Sequence, residues 1–175
     1  NATRATLDGR LEDAVATGQS ISTRREALGI SGFSDIYTSF ASLRPLLYLG
    51  NGVDAIRLSM RPNTRALCLA HLGRHEEATA FLEELVLARP GIGSDKDETR
   101  TERDIQLLEA AVLVGHREAA VLLLRRFAGT KMRVTGYIYN TCIARHLGAA
   151  AALLGRPDEA RGYYQTVLEV CREMP

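Results

Sequence analysis

Apolar residues recur at helical spacing along this chain, in paired segments that are separated by a glycine. In the clearest pair, the spacing predicts a helix over residues 134–154, and Gly155 follows it. After Gly155, the residues Ala160, Tyr164 and Val167 mark one apolar face of a second predicted helix. Glycine enters the left-handed conformation that ends a helix at little cost. The pattern therefore predicts two helices that are joined by a tight turn.

The same unit recurs with a constant interval of five residues between the glycine and an alanine in the following helix. The pairs are Gly9 and Ala14, Gly50 and Ala55, Gly73 and Ala78, Gly115 and Ala120, and Gly155 and Ala160. A small side chain is required where two helix axes cross closely, because a bulky one would push the helices apart. We therefore expect an all-α fold of about five antiparallel helix pairs, with turns near residues 9, 50, 73, 115 and 155.

Segments with a less regular apolar pattern supply the remaining helices of these pairs. Further helices are predicted over residues 10–28, 33–49 and 53–60. Gly18 interrupts the first of them, since glycine lowers the stability of a helix interior. Residues 90–97 are interpreted as a mobile loop, and Asp97 or Thr99 is expected to cap the helix that follows.

These residues resemble the tetratricopeptide repeat, a helix-turn-helix motif with small residues at two fixed positions and a large apolar residue four positions after the second. Gly148, Ala160 and Tyr164 match one copy, and Ala66, Ala78 and Leu82 match a second, with Pro90 at the later position where the motif often has proline. Leu108, Ala120 and Leu124 match a third copy, with the larger Leu108 at the first small position. The resemblance covers residues 33–175 well. It implies a right-handed α-solenoid in which the first helix of each pair lines a concave face.

Residues 144–174 carry a narrower resemblance, to the helical-repeat tails of large bacterial signalling proteins. In those proteins an adenylate/guanylate cyclase domain or an AAA/STAND-type ATPase precedes the repeats, and Pro157 stands here in place of a bulky aromatic residue. Residues 1–2 are interpreted as an expression scar, and residues 3–175 as a single domain from a longer protein. No stretch matches either catalytic domain, so the chain itself is interpreted as non-catalytic.

Composition and charge narrow the classes of partner. The chain has 22 Lys and Arg against 21 Asp and Glu, and the basic residues are scattered, which argues against nucleic-acid binding. No apolar run is long enough to span a membrane. The three cysteines are far apart, without a Cys-x-x-Cys pair, which is typical of buried thiols in a reducing compartment. We expect a cytoplasmic protein.

Candidate chemistry is sparse. His71 and His75 have the spacing of two zinc ligands on one helix, but Gly73 lies between them at a predicted turn, so both are interpreted as residues beside that turn. Residues 91–96 resemble a phosphate-binding loop but are too short for that motif, and no apolar strand precedes them. We predict no catalytic residue, metal or cofactor.

The concave face that the resemblance implies is the predicted site for a protein or peptide partner, or for other domains of a parent protein. Its candidate residues are Asn63, Thr64, Leu67, His71, Gln106, Glu109, Tyr139, Asn140, Arg145 and His146. Two alternatives stay open. One is a small-molecule or enzymatic pocket between helix pairs, centred on Arg145 and His146. The other is a homodimer that forms through the last helix, over residues 158–173.

Overall fold

The fold is all-α. The computed structural model describes residues 2–30, 34–59, 61–94, 97–127, 130 and 141–173, and none of these residues belongs to a β-strand. The helices are α1 (Ala2–Leu7), α2 (Leu11–Ala27), α3 (Ser34–Tyr48), α4 (Gly52–Arg57), α5 (Pro62–His71), α6 (His75–Leu82), α7 (Thr101–Val114), α8 (Arg117–Phe127), α9 (Ile143–Leu153) and α10 (Pro157–Glu173). A π-helical turn, Glu83–Leu87, continues α6.

The five predicted turns share one backbone geometry. The glycines Gly9, Gly50, Gly73, Gly115 and Gly155 have φ between 72° and 77°. In each turn the N–H of the glycine donates to the carbonyl three residues before it, at 3.0–3.2 Å. The next N–H donates to the carbonyl five residues before it, at 2.8–3.0 Å. This pair of bonds is the Schellman motif, which satisfies carbonyls at the end of a helix. A helix therefore ends at each of the five glycines.

The alanines five residues after those glycines are all buried. Ala14, Ala55, Ala78 and Ala120 are 0% exposed and Ala160 is 5% exposed. Gly148 is equally constrained, because a methyl group added there would lie 2.8 Å from a ring atom of Tyr164. Small residues therefore occupy the crowded points of this fold, as the sequence pattern predicts.

Gly18 has a different role from the interruption that the sequence suggests. The α2 helix continues through it from Leu11 to Ala27. A methyl group added at Gly18 would collide with Oγ of Ser42 and lie 3.3 Å from the Ala41 side chain on α3. Glycine at this position therefore lets α2 and α3 approach closely, and this packing offsets its low helix propensity.

Two predicted helix starts are wrong. One is the helix over residues 134–154. Cys142 is extended (φ −80°, ψ 119°), so α9 begins only at Ile143. Residues 134–140 lie outside the described part of the chain. Neither Asp97 nor Thr99 caps α7, which begins after the extended residue Arg100. The Asp97 carboxylate instead accepts hydrogen bonds from the N–H groups of Gly93 and Thr99, at 3.1 and 3.0 Å. It fixes the loop rather than the helix.

The first helices of the last three pairs, α5, α7 and α9, lie beside one another. The α7 helix contacts both α5 and α9, and each second helix packs on its own first helix. One apolar cluster runs through the last three pairs, and a smaller one joins α3, α4 and α5. Of the described helices, none is long and apolar enough to cross a membrane. This packing brings the inner faces of α3, α5, α7 and α9 together.

Candidate functional site

A buried carboxylate, Glu109 on α7, lies at the centre of a polar cluster on the first helices. Arg44 on α3 donates to both of its oxygens, to Oε1 at 3.2 Å and to Oε2 at 2.9 Å, and both side chains are 8% exposed. A ring nitrogen of His71 lies 3.8 Å from Oε1, and one of His146 lies 3.9 Å from Oε2. Side chains from four helices thus meet at one carboxylate.

The Arg44–Glu109 pair remains ionised despite its burial. Burial raises the pKa of Glu109, but the guanidinium of Arg44 and the rings of His71 and His146 together outweigh this and hold that pKa well below its usual range. Burial likewise lowers the pKa of Arg44, and the Glu109 carboxylate and the Tyr48 hydroxyl together raise it by more. Two parallel N–H···O bonds give the geometry that a buried ion pair needs. The pair therefore fixes α3 against α7.

His146 occupies the same cluster as a neutral base. Its Nε2 lies 2.6 Å from Oγ1 of Thr141, and both residues are buried. Burial lowers the pKa of His146 to about 4, and the positive charges of Arg44 and Arg145 act in the same direction against the opposing effect of Glu109. The imidazole is therefore uncharged at neutral pH.

Tyr48 and Arg145 connect this cluster to the surface. The Tyr48 hydroxyl accepts hydrogen bonds from Nη1 of Arg44, at 2.9 Å, and from Nη1 of Arg145, at 2.8 Å. The two guanidinium carbons lie 5.6 and 5.7 Å from the centre of the Tyr48 ring, within the range of a cation–π interaction. Tyr48 is 41% exposed, and Arg145 is exposed as well. We call Tyr48 and Arg145 the tyrosine–arginine surface.

A second polar contact joins α5 to α7. Nδ2 of Asn63 donates to Oε1 of Gln106, and the Thr64 hydroxyl lies 3.3 Å from the same oxygen. All three side chains are buried. Their hydrogen bonds satisfy groups that would otherwise destabilise the interior, so this contact stabilises the packing of neighbouring first helices.

No family model matches this chain. Nor does any curated protein or solved structure match it. The geometry of the cluster is therefore the basis for what can be inferred about function.

The structure brings together most of the candidate residues but buries many of them. Asn63, Thr64, Gln106 and Glu109 form buried hydrogen bonds between neighbouring helices, and His146 bonds to Thr141. Of these five residues, Asn63 also lines a cavity between two helix pairs. Leu67 is in the smaller apolar cluster. His71 is partly exposed and Arg145 is exposed. Tyr139 and Asn140 lie outside the described residues. Most of the described candidate residues are buried because the first helices pack closely against one another. Only the edge of the polar cluster remains accessible to a partner.

Two side chains of the polar cluster, Arg44 and Tyr48, are absent from the sequence-based set. Arg44 lies within the apolar run at residues 43–47, on the inner side of α3. A single charge in an apolar run needs a buried partner, and this signal could have identified it. His71 and His75 lie at the end of α5 and the start of α6, as predicted. Among the described residues, no three His, Cys, Asp or Glu side chains are grouped as metal ligands.

Stability should depend on pH through His146. Its pKa is about 4 in the folded chain against an ordinary 6.5, so the unfolded chain binds a proton first as the pH falls. The associated stability is complete above pH 6.5 and is lost towards pH 4. We expect a decrease of about 2 kcal/mol in the free energy of unfolding between pH 7 and pH 5, measured by urea denaturation.

The variant His146→Gln should reduce this slope, whereas His75→Gln, which replaces an exposed histidine, should keep it. Comparison of the variants removes the contribution of the carboxylates, which titrate in all of them. An unchanged slope in His146→Gln would show that another group causes the pH dependence.

Proposed function

We propose that this chain is a non-catalytic interaction module, a right-handed α-solenoid of the tetratricopeptide-repeat type. The five equivalent turns and the buried alanine that follows each of them support this proposal. The observation that carries it is the tyrosine–arginine surface, in which an exposed aromatic ring and an exposed guanidinium are held at the edge of a buried polar cluster.

The partner that fits this surface is an acidic protein segment. Glu109 neutralises the charge of Arg44, whereas no carboxylate of the described residues pairs with Arg145. Tyr48 and Arg145 are also of the residue types that dominate binding energy at protein interfaces. The hydrogen bond between Tyr48 and Arg145 already fixes both side chains. They therefore lose little conformational entropy when a partner segment binds.

We also propose a parent protein and a cellular location for this module. The likeness of residues 144–174 to the repeat tails of cyclase- and ATPase-linked signalling proteins supports a regulatory or scaffold role within a larger protein. A cytoplasmic location is supported by the free thiols of Cys68, Cys142 and Cys171, of which Cys68 is buried as expected, whereas Cys142 is partly exposed and Cys171 is exposed. The alternative, a homodimer that forms through α10, is supported by the exposed side chains of Tyr164 and Leu168.

Selection from a random peptide library on the immobilised protein tests the interaction. We expect the bound peptides to be enriched in Asp and Glu. The variant Arg145→Glu should weaken a selected peptide at least about tenfold, because it replaces a charge-assisted contact by repulsion. Affinity is measured by fluorescence anisotropy.

The matched control is Arg65→Glu, which makes the same charge reversal at an exposed position of α5. Helical circular dichroism should be unchanged in both variants, since both side chains are exposed. Binding that is equal in Arg145→Glu and the wild type, or a selection without acidic enrichment, would reject the proposed surface.

A further inference from the structure

A cavity of about 400 Å³ lies between the Gly73 and Gly115 helix pairs, apart from the tyrosine–arginine surface. The start of α5, the π-helical turn with the segment after it, and the first half of α7 form its walls. The side chains that matter for its chemistry are those of Arg61, Leu85, Arg89, Arg103 and Leu107. Its volume is in the range of pockets that hold small organic ligands.

The charges around this cavity do not balance. Arg89 lies 2.8 Å from Asp104 and 3.2 Å from Asp97, and Arg126 pairs with the same two carboxylates. Two guanidinium groups and two carboxylates therefore neutralise one another. Arg61 and Arg103 form no ion pair with any described residue, so about two positive charges remain at the cavity.

The position of Arg89 is fixed by these contacts. Its two terminal nitrogens donate to the two oxygens of Asp104, at 2.8 and 3.1 Å, and Asp104 is fully buried. The Nε of Arg89 is buried, and no acceptor among the described residues bonds to it. The wall of the cavity thus combines one anchored guanidinium with two that are free to bond an anion.

We propose that this cavity binds a small organic phosphate monoester. Such a group carries nearly two negative charges at neutral pH and several strong acceptor oxygens, which matches the excess charge of Arg61 and Arg103. Leu85 and Leu107 provide apolar contact for the organic part of the ligand. The centre of this site differs from the predicted one, because His146 is buried in the polar cluster and does not line the cavity.

Isothermal titration of the full chain with phenyl phosphate, at about 50 mM salt to limit screening, tests the site. We expect saturable binding with a dissociation constant below about 1 mM. The variants Arg61→Gln and Arg103→Gln should each weaken binding about tenfold or more, because each removes a charged donor. Arg65→Gln removes the same charge from an exposed position of α5 outside the cavity, and it should stay within about twofold of the wild type.

Three further probes define the ligand class. Benzoate has the same ring and a single charge, inorganic phosphate lacks the ring, and succinate is a dianion without phosphate. All three should bind more weakly than phenyl phosphate. Tighter binding of succinate, equal binding of inorganic phosphate, absence of saturation, or equal loss in Arg65→Gln and Arg103→Gln would overturn the proposal. Circular dichroism of the variants should match the wild type, since the replaced arginines hold no ion pair in the described fold.

Discussion

Glu109→Leu is expected to lower the free energy of unfolding by about 3 to 5 kcal/mol, as removal of one partner from a buried ion pair does. The substitution takes the carboxylate from the buried guanidinium of Arg44 and puts an apolar side chain beside His71 and His146. Burial of a charge without its counter-ion is unfavourable because the interior cannot replace the lost hydration. Urea denaturation followed by circular dichroism measures the change.

Two controls separate this effect from loss of packing. In the double variant Arg44→Leu/Glu109→Leu, most of the lost stability should return, because an apolar pair of similar volume can replace a buried ion pair at little cost. Glu77→Gln breaks the exposed pair with Arg74 and should cost about 1 kcal/mol or less. If Glu109→Leu were no more destabilising than Glu77→Gln, the buried pair would not be a structural element of this fold.

The buried pair also bears on the proposed interface. Nη1 of Arg44 donates both to Glu109 and to the Tyr48 hydroxyl, so one guanidinium links the interior to the exposed ring. Arg145 bonds to the same hydroxyl from α9. The orientation of Tyr48 therefore depends on the packing of α3, α7 and α9 together. The tyrosine–arginine surface is rigid because the side chains that support it are buried. A rigid surface loses less conformational entropy when a partner binds.

The turns could be predicted from sequence because their determinants are local. The positive φ at Gly73 and the hydrogen bonds that flank it all lie within about two helical turns of that residue. The burial of Ala78 follows from the same geometry, since its distance from Gly73 sets which side of α6 it occupies. Local conformation and helical period are both readable from one sequence.

The remaining features depend on contacts between distant segments. Arg44 and Glu109 are separated by 65 residues, so no spacing rule relates them. The cavity likewise draws Arg61, Arg89 and Arg103 from three segments that only the packing of two helix pairs brings together. The start of α9 at Ile143 escaped prediction for a related reason. The apolar period extends upstream of it, and periodicity alone does not show where the backbone becomes extended.

Replacement of one of the buried alanines tests the fold where its packing is tightest. Ala120→Arg should cost at least about 3 kcal/mol, because Ala120 is fully buried in the larger apolar cluster and has no room for a long charged side chain. Glu118→Arg places the same residue on an exposed position of α8 and should cost about 1 kcal/mol or less, mainly through the helix dipole. Thermal unfolding followed by circular dichroism compares the two variants. A melting temperature of Ala120→Arg that equals that of Glu118→Arg would show that α8 does not pack on α7 through this alanine, and the glycine–alanine interval would lose its structural meaning.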